Sequence, residues 1–298
     1  MRLIDKELEG INNDELLESM EKVASSEEKF LLDKGFGNEI SKRKDELLIL
    51  FSSGNYNISI NGIKKSQNIP QNAAALCRTL VYDMKPDYWH FENGIVLSKN
   101  NSSHNICHEL FHGLSKNTVL KSENNIFYDK TGVKIIGYNN DGEEVDETLN
   151  ADFLNEGITE MLTNEFCNED EVGAYPFATY IAMILTTHSD KLLQAYFSKE
   201  STEFKQFLNE FNIKQNIISK DELVSLNSKS MLTDDEMYNL VNACVMYRMN
   251  SINSIEEKQK LTVAFGNILE KMDNDCSVNL NNNKKYCNTI NIDINKNK

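Results

Sequence analysis

Basic charge is what this 298-residue chain has least of: 31 lysines and arginines stand against 46 aspartates and glutamates, a formal net charge of -15. A surface that binds nucleic acid needs a basic footprint for the phosphates, so that class of partner is not expected. An anionic membrane surface is disfavoured for the same reason. Basic or neutral peptides are mildly favoured, although acidity also serves solubility. No apolar run approaches the roughly 18 residues that a spanning helix requires. The opening Met1-Arg2-Leu3-Ile4-Asp5-Lys6-Glu7-Leu8-Glu9 lacks the apolar core of a secretory signal. The six cysteines (Cys77, Cys107, Cys167, Cys244, Cys276, Cys287) include no C-x-x-C pair, and the first four lie in apolar helical contexts that suit small core residues. These absences predict a cytoplasmic protein, or a secreted one whose signal has been removed. Internal repeats and a phosphate-binding loop are also missing. Asp273-Asn274-Asp275 lacks the glycine and distal glutamate of a calcium loop.

Histidine is scarce as well, with five in the chain: His90, His104, His108, His112 and His188. Two of them bracket a glutamate in His108-Glu109-Leu110-Phe111-His112, an HExxH segment. Positions i and i+4 of an α-helix lie one turn apart on one face, so both imidazoles can aim at one ion. Glu109 sits about 100° round the helix from His108, beside the metal rather than on it. A carboxylate there suits a general base acting on metal-bound water. A catalytic zinc takes three protein ligands and keeps one position open, so a third ligand is needed. The extended form HExxHxxGxxH is excluded because Ser115 and Thr118 occupy its glycine and histidine positions. His104 could share the face of His108, but the expectation is an exposed residue near the helix start; His90, beside Trp89, reads as structural.

The third ligand is expected from Asn155-Glu156-Gly157-Ile158-Thr159-Glu160. Leu154, Ile158, Met161, Leu162 and Phe166 recur at largely helical spacing through this stretch, which predicts a helix over 149–166. Glu156 and Glu160 then project from one face, and two carboxylates one turn apart repel unless a cation or donor lies between them. Glu156 is assigned as the ligand. Glu160 is assigned to accept a hydrogen bond from the far nitrogen of a liganding histidine, which fixes its tautomer.

Together, the HExxH segment and the downstream Asn-Glu-x-x-x-Glu segment resemble the gluzincin branch of the zincin metallopeptidases, over roughly residues 90–200. The resemblance implies one zinc per chain, held by His108, His112 and Glu156, with Glu109 as base and Glu160 orienting a histidine. It also implies a Tyr or His that stabilises the oxyanion. Tyr175 is the first candidate, with His188, Tyr138 and Tyr128 left open beside it. In zincins the strand before the metal helix is a sheet edge that can pair with an extended substrate. Gly94-Ile95-Val96-Leu97-Ser98 is either such an edge or an ordinary internal strand.

Along the chain, helices are expected over 5–33, 39–51 and 71–84, the last opened by Pro70. Tyr56–Ile60 alternates as a strand does, and Asn100-Asn101 marks a turn before Ser102 or Ser103 caps the metal helix. Asp129-Lys130-Thr131-Gly132 reads as the turn of a hairpin joining 125–128 to 133–138, and Asn139–Gly142 as a loop. Beyond residue 166 the chain reads as helical, with capping boxes beginning at Thr233 and Ser254. Residues 274–298 turn rich in Asn and Lys and read as a tail of low order.

The resulting expectation is an α+β zincin-like catalytic domain over 1–273. A mixed lobe (1–142) carries a small sheet and the metal helix, a helical lobe (143–273) supplies the third ligand, and a cleft separates them. The expected function is a zinc-dependent peptidase, an endopeptidase, acting on a peptide or protein substrate. Two alternatives stand beside it: a regulatory metalloprotease of the cytosol with one specific protein partner, and a non-catalytic zincin-fold binding module. The intact Glu109 speaks against the second.

Overall fold

The computed structural model describes residues 13–37, 40–45, 48, 56–60, 75–85, 88–97, 103–121, 126–139, 145, 149–169, 175–228 and 232–276. The Asn100-Asn101 turn, Ser102, the Asn139–Gly142 loop beyond Asn139 and the tail beyond residue 276 lie outside them. Helices and two small sheets occupy different stretches of the chain, an α+β arrangement. Among the described residues no helix is long and apolar enough to cross a membrane. The chain divides into two compact units. One comprises Met1–Leu149, Leu162–Asp170 and Phe197–Lys199; the other comprises Asn150–Met161, Glu171–Tyr196 and Glu200–Lys298.

In the first unit, α1 (Asn13–Asp33) buries Met20, Val23, Ala24 and Leu31, apolar positions spaced by three, four and seven residues. It ends at Gly35, whose φ of 90 gives the left-handed step that lets the Phe36 amide reach the Leu31 carbonyl (3.0 Å). A helical segment α2 includes residues 40–45. A mixed three-stranded sheet follows, ordered β1 (Tyr56–Ile60), β3 (Tyr88–Leu97), β2 (Ala75–Lys85), with β1–β3 parallel and β2–β3 antiparallel. The helix expected over 71–84 is therefore a strand from Ala75. Its Leu76, Leu80, Tyr82 and Met84 alternate with period two, and pairing along β3 decides between the two periods.

Of the two readings left open for Gly94–Ser98, the internal strand is the one observed over Gly94–Leu97. β3 is the central strand, and Gly94 to Leu97 pair with Asn57–Ile60 on one side and with Arg78–Ala75 on the other. Its backbone groups over that span are committed to the sheet, so strand addition there has no free edge to use.

The second sheet is antiparallel, in the order β4 (Lys116–Lys121), β5 (Phe127–Thr131), β6 (Lys134–Tyr138). The expected hairpin is present, but its turn lies later. Asp129 and Lys130 belong to β5, and Thr131 pairs with Lys134 across Gly132-Val133. Gly132, at φ 58, provides the positive φ required at the first position of a two-residue turn. Lys130 is buried and its ammonium bonds the Gly132 carbonyl, so this charge closes the turn instead of forming it.

The second unit is helical: the first turns of α4 (Asp152–Cys167), then α5 (Pro176–Thr186), α6 (Lys191–Phe197), α7 (Thr202–Lys214), α8 (Lys220–Ser225), α9 (Asp234–Asn250) and α10 (Ile255–Asp275). Helix α5 is the most apolar and packs against α9 and α10, burying Tyr180, Ile181, Ala182, Ile184 and Leu185. The carbonyls just past its C-terminal end are met from α9. The Arg248 guanidinium donates to Thr187 O (2.7 Å) and His188 O (3.1 Å). Capping boxes start α8 (Ser219, Glu222) and α9 (Thr233, Glu236), and Ser254 caps α10 by accepting from the Glu257 amide (3.4 Å).

Candidate metal centre

The HExxH residues lie in α3 (Ser103–Ser115), which packs against α1, β2 and β5. His108, Glu109 and His112 are 7%, 7% and 5% exposed, so three polar side chains are buried within a turn and a half. Leu110, Phe111 and Leu114 are fully buried and anchor the helix. Phe111 meets Phe30 of α1 (6.2 Å between ring centroids) and Phe166 at the end of α4 (5.9 Å), and these two meet each other (5.6 Å). All three contacts are edge-on, the arrangement the ring quadrupoles favour.

The C-terminal carbonyls of α3 would be costly to bury without donors. Ser115 Oγ donates to His112 O (2.9 Å), the Arg43 guanidinium to Leu114 O (3.4 Å), and the Gly132 amide to Ser115 O (3.4 Å). A cation at this end also complements the helix dipole.

Helix α4 carries the downstream segment. Asn155, Thr159 and Glu160 are buried, and Glu156 is half-buried. Thr159 Oγ1 lies 2.8 Å from Asn155 O and 2.7 Å from Tyr196 OH, fixing this face of α4 against α6. Gly157 lets α5 approach closely. A Cβ built there would stand 2.3 Å from the Ala178 carbonyl oxygen, which no real structure tolerates.

His108, His112 and Glu156 each offer a ligand atom, and these atoms all lie within 4.8 Å of one another. The two Nε2 atoms are 3.1 Å apart, with the rings at 74°. In a tetrahedral zinc site with bonds of about 2.0–2.1 Å, two nitrogens stand roughly 3.3–3.4 Å apart. The separation here is close to that value. Two imidazole nitrogens and one carboxylate oxygen are also a donor set that zinc accepts. The three residues form a group that could hold a divalent metal ion.

The four oxyanion candidates occupy different places. Tyr175 is half-buried at the start of α5, and its carbonyl accepts from the Thr179 amide (2.9 Å). It precedes Ala178, the residue against Gly157, by one helical turn. His188 lies beyond the opposite end of α5, at φ 52. Tyr128 is in β5 and Tyr138 ends β6. Packing of α5 on the Glu156-Gly157 step brings Tyr175 nearer to the glutamate along the helix than His188.

Two features were missed in the sequence. The Gly157 contact leaves no periodic signal. His104, expected to be exposed, is partly buried, and its Nδ1 lies 2.7 Å from Glu169 Oε2. Compared with protein-family models, curated proteins and solved structures, the chain matches none of them.

Proposed function

We propose that this chain is a zinc-dependent peptidase of zincin-like fold, acting as an endopeptidase on a peptide or protein substrate. The observation that carries this reading is the convergence of His108, His112 and Glu156 ligand atoms beside a buried Glu109. When bound, zinc supplies Lewis acidity that brings the ionisation of a water ligand to about pH 7.

The chain's own residues divide the remaining work. Glu109 takes a proton from the attacking water as its oxygen bonds the peptide carbonyl carbon and the carbonyl electron pair moves onto oxygen. Tyr175 donates a hydrogen bond to that oxygen as its charge develops. Glu109 then passes the proton to the amide nitrogen as the C–N bond breaks, leaving a carboxylic acid and an amine. Glu160, buried one turn beyond Glu156, holds a liganding imidazole in one tautomer.

Elemental analysis of wild type, His112→Ala and Glu109→Gln, with a peptide-library digest of each, tests the proposal. Zinc falls by one equivalent in His112→Ala and is unchanged in Glu109→Gln, while hydrolysis drops by about 10²–10⁴ in Glu109→Gln. Zinc content indifferent to His112→Ala would remove the basis for the reading.

A further inference from the structure

A second group of metal-ligating atoms lies at the other end of α3. His104 Nδ1, Cys167 Sγ and a Glu169 carboxylate oxygen all fall within 4.8 Å of one another. His104 is in the first turn of α3, while Cys167 and Glu169 close α4, and all three belong to the first compact unit. None is a member of the His108 cluster.

The end of α4 explains how two of these donors come together. Asn168 takes the left-handed conformation (φ 56), its amide bonds Glu165 O (3.3 Å), and the Glu169 amide bonds Asn164 O (2.9 Å). This is a Schellman closure, which turns the chain sharply back and fixes the backbone on either side of Asn168. Cys167 and Glu169 are held on the two flanks of that turn. Helix α3 delivers His104, and the Phe30, Phe111 and Phe166 rings lock the two helices at this level.

The surroundings suit a cation. Cys167 is half-buried beside the buried Cys107 thiol. Behind them the carboxyl of Glu27 of α1 is fully buried beside Cys107 and Cys167. A thiolate and the Glu169 carboxylate would together offset a divalent charge, with a neutral imidazole completing the set. Glu169 is 44% exposed along its side chain, so water can reach the remaining position. Nitrogen and oxygen donors on one zinc sit roughly 3.3–3.4 Å apart, so the 2.7 Å His104–Glu169 contact opens by about 0.6–0.7 Å when the ion replaces the shared proton.

We propose that His104, Cys167 and Glu169 form a second site for a zinc-class divalent cation, tying the start of α3 to the end of α4. Sulfur makes it distinguishable from the His108 site, because a thiolate bound to Co²⁺ gives a near-ultraviolet charge-transfer band that imidazole and carboxylate do not.

The test is Co²⁺ titration of the full chain followed by absorbance, with circular dichroism to confirm folding of each variant. The band is expected in wild type and in the double variant His108→Ala/His112→Ala. It should vanish in Cys167→Ser, and His104→Ala should weaken Co²⁺ affinity at this site by at least roughly tenfold. A second arm needs no variant: Zn²⁺ should slow alkylation of Cys167 by iodoacetamide, read by peptide mass. Absence of the band in wild type, its survival in Cys167→Ser, or alkylation of Cys167 at the same rate with and without Zn²⁺ would overturn the proposal. Because the band is read in a chain lacking His108 and His112, the result is independent of whether those residues bind zinc.

Discussion

Replacing Gly157 by alanine should destabilise this protein, although the same change in an open helix stabilises. Alanine is favoured over glycine inside a helix by about 1 kcal/mol. At Gly157 the new methyl carbon would lie 2.3 Å from Ala178 O, 2.5 Å from Ala178 C and 3.1 Å from Ala178 Cβ. The first two atoms are backbone and cannot rotate away, so α4 and α5 must part by about 1 Å to restore ordinary contact distances. Overpacking of this kind costs typically about 1–3 kcal/mol, and a backbone obstacle belongs at the upper end. The net expectation is roughly 2 kcal/mol lost, or about 4–8 °C in Tm for a chain of this size. Gly266 of α10 provides the internal control, since a Cβ there meets nothing within 4 Å. Gly266→Ala should gain about 0.5–1 kcal/mol. Urea denaturation followed by far-ultraviolet circular dichroism reads both variants. Equal or greater stability in Gly157→Ala would refute the close approach of α5 to α4.

Three further outcomes are expected. Phe111→Ala removes the ring shared by Phe30 and Phe166 and should cost about 3–5 kcal/mol in urea denaturation; a loss below 1 kcal/mol would mean the aromatic trio does not anchor α3. Asn168→Gly should leave stability nearly unchanged, whereas Asn168→Ala should cost about 1 kcal/mol because only the former adopts φ 56 without strain; parity between them would exclude the left-handed cap. Burial, reinforced by Cys167, pushes the Glu27 carboxyl well above its ordinary 4.5, and the Cys107 thiol offsets this only in part. Above that ordinary value the unfolded chain releases the proton while the folded chain keeps it. Stability therefore falls as pH rises from about 4.5 towards the folded value. Urea midpoints at about pH 5 and about pH 8 should differ less in Glu27→Gln than in wild type, and an identical difference would show that Glu27 is charged when folded.

What could be read from the sequence was local. The i, i+4 spacing of His108 and His112 and the apolar period of Leu154, Ile158 and Leu162 are each set within one helix, and α3 and α4 formed where they implied. Thr233 and Glu236 satisfy one another across a single turn, so that helix start was legible too. Ser219 and Glu222 carry the same signature. What failed depended on distant partners. Ala75–Lys85 became a strand because β3 pairs along it. Lys130, read as part of a polar turn, is buried within the hairpin it closes. The approach of Gly157 to Ala178, and of His104 to Cys167 and Glu169, joins residues whose spacing in the chain carries no period at all.

The five-residue metal motif has a consequence for how variation in it should be understood. Its two interior positions, Leu110 and Phe111, are as buried as the three that carry chemistry. A saturation library across 108–112 would return intolerance at every position, so depth of loss would not single out the ligands. The profile of survivors would. At 110 and 111 the accepted replacements should follow side-chain volume and be indifferent to added zinc. At 108 and 112 they should follow donor chemistry and respond to zinc in the medium. At 109 they should restore abundance without restoring activity. Three selection rules would be superimposed on one turn and a half of helix, and a pattern search that treats the middle pair as free would miss one of them.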